Sequence, residues 1–180
     1  MQIYTIGHST HSLSTFMGLV REAGIECIAD VRSFPRSRRH PQFNIGTLAV
    51  TLGDARVRYK HFPDLGGRRG AQDLGEPSPN QAWQEPGFRN YADYALLPAF
   101  RQALSDLRDV AAEQSVAIMC AEAVWWRCHR RIIADHLIAM DDEVIHILPT
   151  GRTQQAVMSE NAMVQPDGRV TYPPPQPRLL

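Results

Sequence analysis

Two rhythms of apolar residues run along the chain, one with the short, continuous runs of buried strands and one with helical spacing. Ile3-Tyr4-Thr5-Ile6 is a β-prone run that stops at Gly7. Behind it Leu13, Phe16, Met17 and Val20 recur at helical intervals, with Ser12 placed to cap the helix and Gly24 to end it. Cys27-Ile28-Ala29-Asp30-Val31 reads as a second, buried strand, followed by a polar segment punctuated by proline over residues 32–44. A short helical pattern through Leu48, Val50 and Leu52 leads to a third strand over residues 57–62. Helical periodicity returns over residues 91–113 through Tyr94, Leu97, Phe100, Leu104 and Leu107, where Pro98 predicts a kink. Val116-Ala117-Ile118-Met119 is a fourth strand, residues 126–140 predict an amphipathic helix, and Val144-Ile145-His146-Ile147-Leu148 is a fifth strand.

Strands alternating with helices call for a parallel sheet, because each right-handed crossover must travel back over it. The expected class is α/β: a three-layer, Rossmann-like open sheet of about five mainly parallel strands with helices on both faces, in the order 3-2-1-4-5. Residues 1–150 are expected to be a single domain. From residue 151 to 180 the pattern fades into Gln, Gly and Pro, and Pro173-Pro174-Pro175-Gln176-Pro177 predicts a tail that is extended or disordered. On that reading a chain cut after Arg152 folds with little loss of stability. The loop over residues 63–90 is long for a compact domain, which marks it as functional or disordered.

Composition narrows the class of protein. No apolar stretch approaches the roughly 20 residues that a membrane span needs, so no membrane partner is expected. Cys27, Cys120 and Cys128 are odd in number and widely spaced, which fits reduced thiols and a cytoplasmic location better than a disulfide framework. The 19 basic and 19 acidic residues cancel, so the overall field does not attract nucleic acid. Local charge is uneven, and almost all of the cations are arginine, the fork suited to phosphate and carboxylate. They cluster as Arg32, Arg36, Arg38 and Arg39, as Arg68 with Arg69, and as Arg127, Arg130 and Arg131.

In open parallel sheets ligands bind beyond the carboxyl ends of the strands. Those ends carry Gly7-His8-Ser9, Asp30-Val31-Arg32, His61, Cys120-Ala121-Glu122 and His146. The run from Cys120 to Arg131 places Arg127, Arg130 and Arg131 at a predicted helix N-terminus, against the macrodipole, and so favours an anionic ligand there. Cys128 shares a helical row with Ile132, which allows a packing role; a thiol in the first turn beside His129 and the arginines also has reasons to ionise. The interval from Cys120 to Arg127 is one residue too long for a phosphatase loop, and the loop has no glycine. No cofactor is predicted. Zinc held by Cys120, Cys128 and His129 with His8 or His61 is a less favoured alternative, because no close CxxC or HxxxH pair supports it.

The set Gly7-His8-Ser9-Thr10, Asp30-Val31-Arg32-Ser33-Phe34-Pro35, Pro41-Gln42-Phe43, Leu65-Gly66-Gly67 and Cys120-Ala121-Glu122 through Cys128-His129-Arg130 resembles the bacterial and archaeal family numbered 488 among the domains of unknown function. The resemblance runs from about Ile3 to Leu148. It implies the α/β class and the importance of these motifs, and it names no substrate. The residues themselves predict an enzyme, a hydrolase or transferase, acting on a phosphate-bearing small molecule or nucleotide. In that reading His8, Asp30, Glu122 and Cys128 are catalytic, and Gly7, Ser9, Arg32, Arg127, His129 and Arg130 bind the anion. Two other readings are a nucleic-acid module built on the arginine-rich segment 32–39, with Phe43, Trp83, Trp125 or Trp126 stacking on bases, and a sensor with the same anion pocket and no chemistry.

Overall fold

All five apolar runs form strands. In the computed structural model, which describes residues 1–174, these are β1 (Gln2–Gly7), β2 (Cys27–Asp30), β3 (Arg58–His61), β4 (Val116–Cys120) and β5 (Glu143–Ile147), parallel wherever they pair with one another. The helices between them are α1 (Leu13–Glu22), α2 (Ile45–Asp54), α3 (Pro86–Tyr94), α4 (Pro98–Glu113) and α5 (Arg130–Ile138). Three further strands follow: β6 (Thr153–Gln155), β7 (Met163–Val164) and β8 (Val170–Thr171). The fold is the expected α/β class, a mostly parallel sheet flanked by helices on both faces. No helix of the described residues is long and apolar enough to cross a membrane.

Strand order departs from the expectation. The sheet runs β3-β2-β4-β1-β5-β6, so β4 lies between β2 and β1 rather than beyond β1. Burial explains the placement. Every residue of β4 and of β2 is buried, as central strands require, whereas β3 presents Arg58 to solvent and belongs at an edge. Side chains alternate between two cores. Ile6, Ile28, Ala117 and Met119 face α1 and α2, while Ile3, Cys27, Ala29 and Ile118 face α3, α4 and α5. At about 25 cal/mol per Å² of apolar area, these two interfaces supply the main drive to fold.

Local signals were correct where chemistry is local. Ser12 caps α1 by accepting from the Thr15 amide at 3.1 Å, and Gly24 takes φ +64° just beyond the helix end. Two helix boundaries differ from the reading. Pro98 does not kink one helix but begins a second, because a ring without an N–H is tolerated in the first turn. The helix expected from residue 126 begins at Arg130 instead. Trp125–Arg127 forms a short 3-10 turn, and Cys128 is extended at φ −132°, ψ 147°, so Cys128 precedes the helix rather than standing in its first turn.

The segment after residue 150 is also more than a tail. β6 pairs antiparallel with β5, and β7 with β8 forms a hairpin that delivers Tyr172 into the core at 1 % exposure. The Tyr172 hydroxyl donates to Asp135 at 2.8 Å, and its amide donates to Asn80 at 2.9 Å. Buried Asn80 also donates to Asp93 at 2.7 Å, so this segment helps to order the long loop. Cutting after Arg152 therefore removes a sheet edge and a buried aromatic ring, and it should destabilise the fold. Of the proline-rich run, residues 175–177 lie outside the described residues.

A cationic cavity over a cysteine–histidine floor

The end of β2 is a closed polar assembly. Asp30, with no exposure, receives Arg32 Nε at 2.8 and 3.1 Å, Arg32 Nη2 at 2.6 Å, the Arg32 amide at 3.0 Å and the Tyr59 hydroxyl at 2.6 Å. Burial works to lower the Arg32 pKa, but the bonds it donates to Asp30 and the charge of that carboxylate outweigh it and raise it. Burial, and then the same carboxylate, hold the Tyr59 phenol up, so it stays a donor. His8 stands behind Arg32. Its Nδ1 lies 3.0 Å from the Ser9 carbonyl, which can only accept, so Nδ1 carries the proton and Nε2 accepts from Arg32 Nη1 at 3.2 Å. Burial, and then the Arg32 charge, lower its pKa to about 4. Stacking on Phe43 at 4.2 Å fixes the ring. Asp30 and His8 thus have their hydrogen-bonding capacity spent on Arg32, Tyr59 and the Ser9 carbonyl.

Beyond β4 the groups are less occupied. Cys120 Sγ lies 3.9 Å and Cys128 Sγ 3.6 Å from His129 Nδ1. His129 Nε2 donates to the Val31 carbonyl at 3.1 Å, which leaves Nδ1 to face the two sulfurs. Tyr91 packs edge-on against that ring at 5.0 Å. Arg130, 1 % exposed, donates from Nε to Cys128 Sγ at 3.4 Å and from Nη2 to the Glu122 carbonyl at 2.6 Å. Burial pushes the Cys128 thiol up, yet the Cys120 S–H, His129 and Arg130 overcome it and hold Cys128 well below the usual thiol range. The bond to that sulfur, together with burial, keeps Cys120 well above it. By contrast Cys27, buried within β2, is simply raised by burial.

Two glycines make this packing feasible. A Cβ on Gly7 would stand 1.9 Å from the Glu122 carbonyl oxygen, and one on Gly67 would stand 2.4–2.8 Å from atoms of the His129 ring. The Leu65-Gly66-Gly67 motif therefore belongs to the site, which spacing alone did not reveal: the contact joins residues 67 and 129 across the fold.

A cavity of about 540 Å³ opens between the ends of β2 and β4. Of the ten residues expected at the site, Arg32, Glu122, Arg127, Cys128 and His129 line it, with Cys120 beside them. Gly7, His8, Ser9, Asp30 and Arg130 stand behind the lining. The reason for Gly7, His8 and Ser9 is the strand order: β1 continues its ladder onto β4, with the His8 amide donating to Cys120 O and the Ser9 amide to Ala121 O, both at 3.0 Å. That seals the β1–β4 crevice, and the opening shifts to β2 and β4, whose following helices lie on opposite faces of the sheet. The structure adds Ser33, Arg36, Arg68 and Glu85 to the lining. Arg36 and Arg68 belonged to visible arginine clusters, but nothing in the order of residues said that both line one cavity with Cys128.

No curated protein and no solved structure matches the chain. The model of the family described as "Domain of unknown function DUF488" matches residues 12–137, and the chain belongs to that family.

Proposed function

We propose that the protein is an enzyme, a hydrolase or transferase, that acts on a phosphate-bearing or nucleotide-like substrate in the cavity between β2 and β4. One observation carries the reading: a cationic mouth stands over a floor of Cys120, Cys128 and His129 in a single cavity of ligand size. Arg36, Arg68 and Arg127 make no ion pair with a carboxylate among the described residues, so their forks are free for an anion. Arg32, held by Asp30 and His8, supplies a fixed charge at the wall. Phe34, 70 % exposed beside Arg68, offers a face on which a base can stack. Glu122, exposed at the rim next to the floor, is the carboxylate best placed to move a proton.

Thermal denaturation with inorganic phosphate and with nucleotides tests the reading. A ligand at about 100 times its dissociation constant adds roughly 2.7 kcal/mol, a readily visible rise in melting temperature. Arg127→Ala should remove most of the rise, and Arg21→Ala, on the far side of α1, should not. Absence of any rise with wild-type protein refutes an anion site. The nucleic-acid reading draws support from a different observation: Phe34, Arg36, Arg38 and Arg39 are all exposed on one segment. It requires binding of single strands that weakens steeply with salt and survives Arg127→Ala.

A further inference from the structure

Two thiols and an imidazole nitrogen that converge from different elements present the donor set of a thiophilic metal. The ligand atoms of Cys120, Cys128 and His129 lie within 4.8 Å of one another. A tetrahedral zinc with bonds of about 2.3 Å to sulfur and about 2.05 Å to nitrogen requires S···N edges of about 3.6 Å and an S···S edge of about 3.8 Å. The observed S···N separations are 3.6 and 3.9 Å. Little movement would be needed to close the site.

Two independent features favour the same conclusion. His129 donates Nε2–H to the Val31 carbonyl, which fixes the ring with Nδ1 toward the sulfurs, as the outer shell of metal-bound histidines does. Arg130 is buried with no carboxylate in ion-pair reach among the described residues, and its Nε donates to Cys128 Sγ at 3.4 Å, the contact an outer-shell donor makes to a ligand sulfur. Thiolate and imidazole donors in a tetrahedral array select zinc over magnesium or calcium, which prefer oxygen.

We propose that Cys120, Cys128 and His129 form a zinc site with three protein ligands and a fourth position open to the cavity. Neither His8 nor His61 completes it. His8 is engaged with Ser9 and Arg32, and His61 Nε2 bonds the Arg32 carbonyl at 2.8 Å. A three-ligand site with an open position is the arrangement of catalytic rather than structural zinc, because water or a substrate oxygen can occupy the fourth place. The site itself stands apart from the proposed function; only its use of the fourth position rests on that reading.

Full-length protein, stripped with chelator under reducing conditions, should take up one zinc per chain in competition with a chromophoric chelator. Cobalt(II) in its place should give thiolate charge-transfer bands and the intense visible absorption of a tetrahedral centre. Zinc should also protect Cys120 and Cys128 from alkylation while leaving Cys27 unchanged, a measurement on the wild type that does not depend on how variants fold. Cys120→Ser and His129→Gln should each weaken zinc binding by more than ~100-fold, beyond the loss typical of an outer-shell partner. Weak octahedral cobalt bands, sub-stoichiometric zinc, or alkylation of both thiols at the same rate with and without zinc overturns the proposal. Arg127→Ala separates the two readings: it should keep the cobalt spectrum while losing the response to nucleotides. A wild-type protein that binds zinc but no phosphate compound defeats the proposed function and leaves the metal site standing.

Discussion

Two buried arginines flank the cavity, and their partners differ. Arg32, at the end of β2, is matched by Asp30 with nearly ideal bidentate geometry, and Tyr59 and His8 complete the set. Arg130, beyond β4, meets only a sulfur and a main-chain carbonyl. The first assembly is internally neutral and needs nothing more. The second has no carboxylate partner among the described residues, and its charge helps to hold the Cys128 thiol below the usual range. Residue types that look equally suited to chemistry at two strand ends are thus divided, by their partners, into a closed support and a less saturated surface.

Breaking the support should have the largest effect. Asp30→Ala strands the Arg32 charge in a site only 6 % exposed, and loss of one partner of a buried pair costs about 3–5 kcal/mol. Urea denaturation of the variant measures this. A loss below about 1 kcal/mol would mean that Arg32 reaches solvent and that the two sites are less different than their geometry indicates.

The seam between the two regions comes next. Gly7→Ala drives a Cβ against the Glu122 carbonyl, which is main chain and cannot rotate away, and overpacking of this kind costs typically 1–3 kcal/mol. Chemical denaturation should show that loss, together with weakened binding in the cavity, since the same carbonyl anchors Arg130. A fully stable variant would show that the β4 loop yields easily.

Acid should weaken the support in a defined window. His8 is neutral in the fold with a pKa of about 4, against about 6.5 in the unfolded chain. Between those values the unfolded chain binds the additional proton, so stability is greatest above pH 6.5 and falls as pH drops toward 4. One such group contributes up to about 1.4 kcal/mol per pH unit. His136 and His146 are lowered to about 4 as well and steepen the slope in the same direction. His8→Gln should flatten the dependence by one group, as read from urea midpoints at pH 7 and pH 5; an unchanged slope would mean that His8 is not held neutral.

The smallest effect should come from the less saturated surface. The Glu122 carboxylate is exposed and makes no hydrogen bond among the described residues, so Glu122→Gln should stay within about 0.5 kcal/mol of wild type in the same denaturation. A larger loss would show that the β4 side is also committed to stability.

The order of residues by itself determined which five segments become the parallel strands, where α1 is capped and ends, that helices cover both faces, and which motifs belong to the family. Each of these follows from propensity and periodicity over a few residues: Ser12 and Gly24 act on one helix, and the continuous apolar run of β4 marks it as buried. The tertiary structure decided what spacing could not. It placed β4 beside β2, sealed Gly7, His8 and Ser9 behind the lining, used Asp30 to hold Arg32, and set Gly67 against His129. It also carried Tyr172 from a segment read as a tail into the core. The physical reason is common to all five: whether a polar group is saturated or free, and whether a ring is buried or exposed, depends on partners brought together only when distant segments pack.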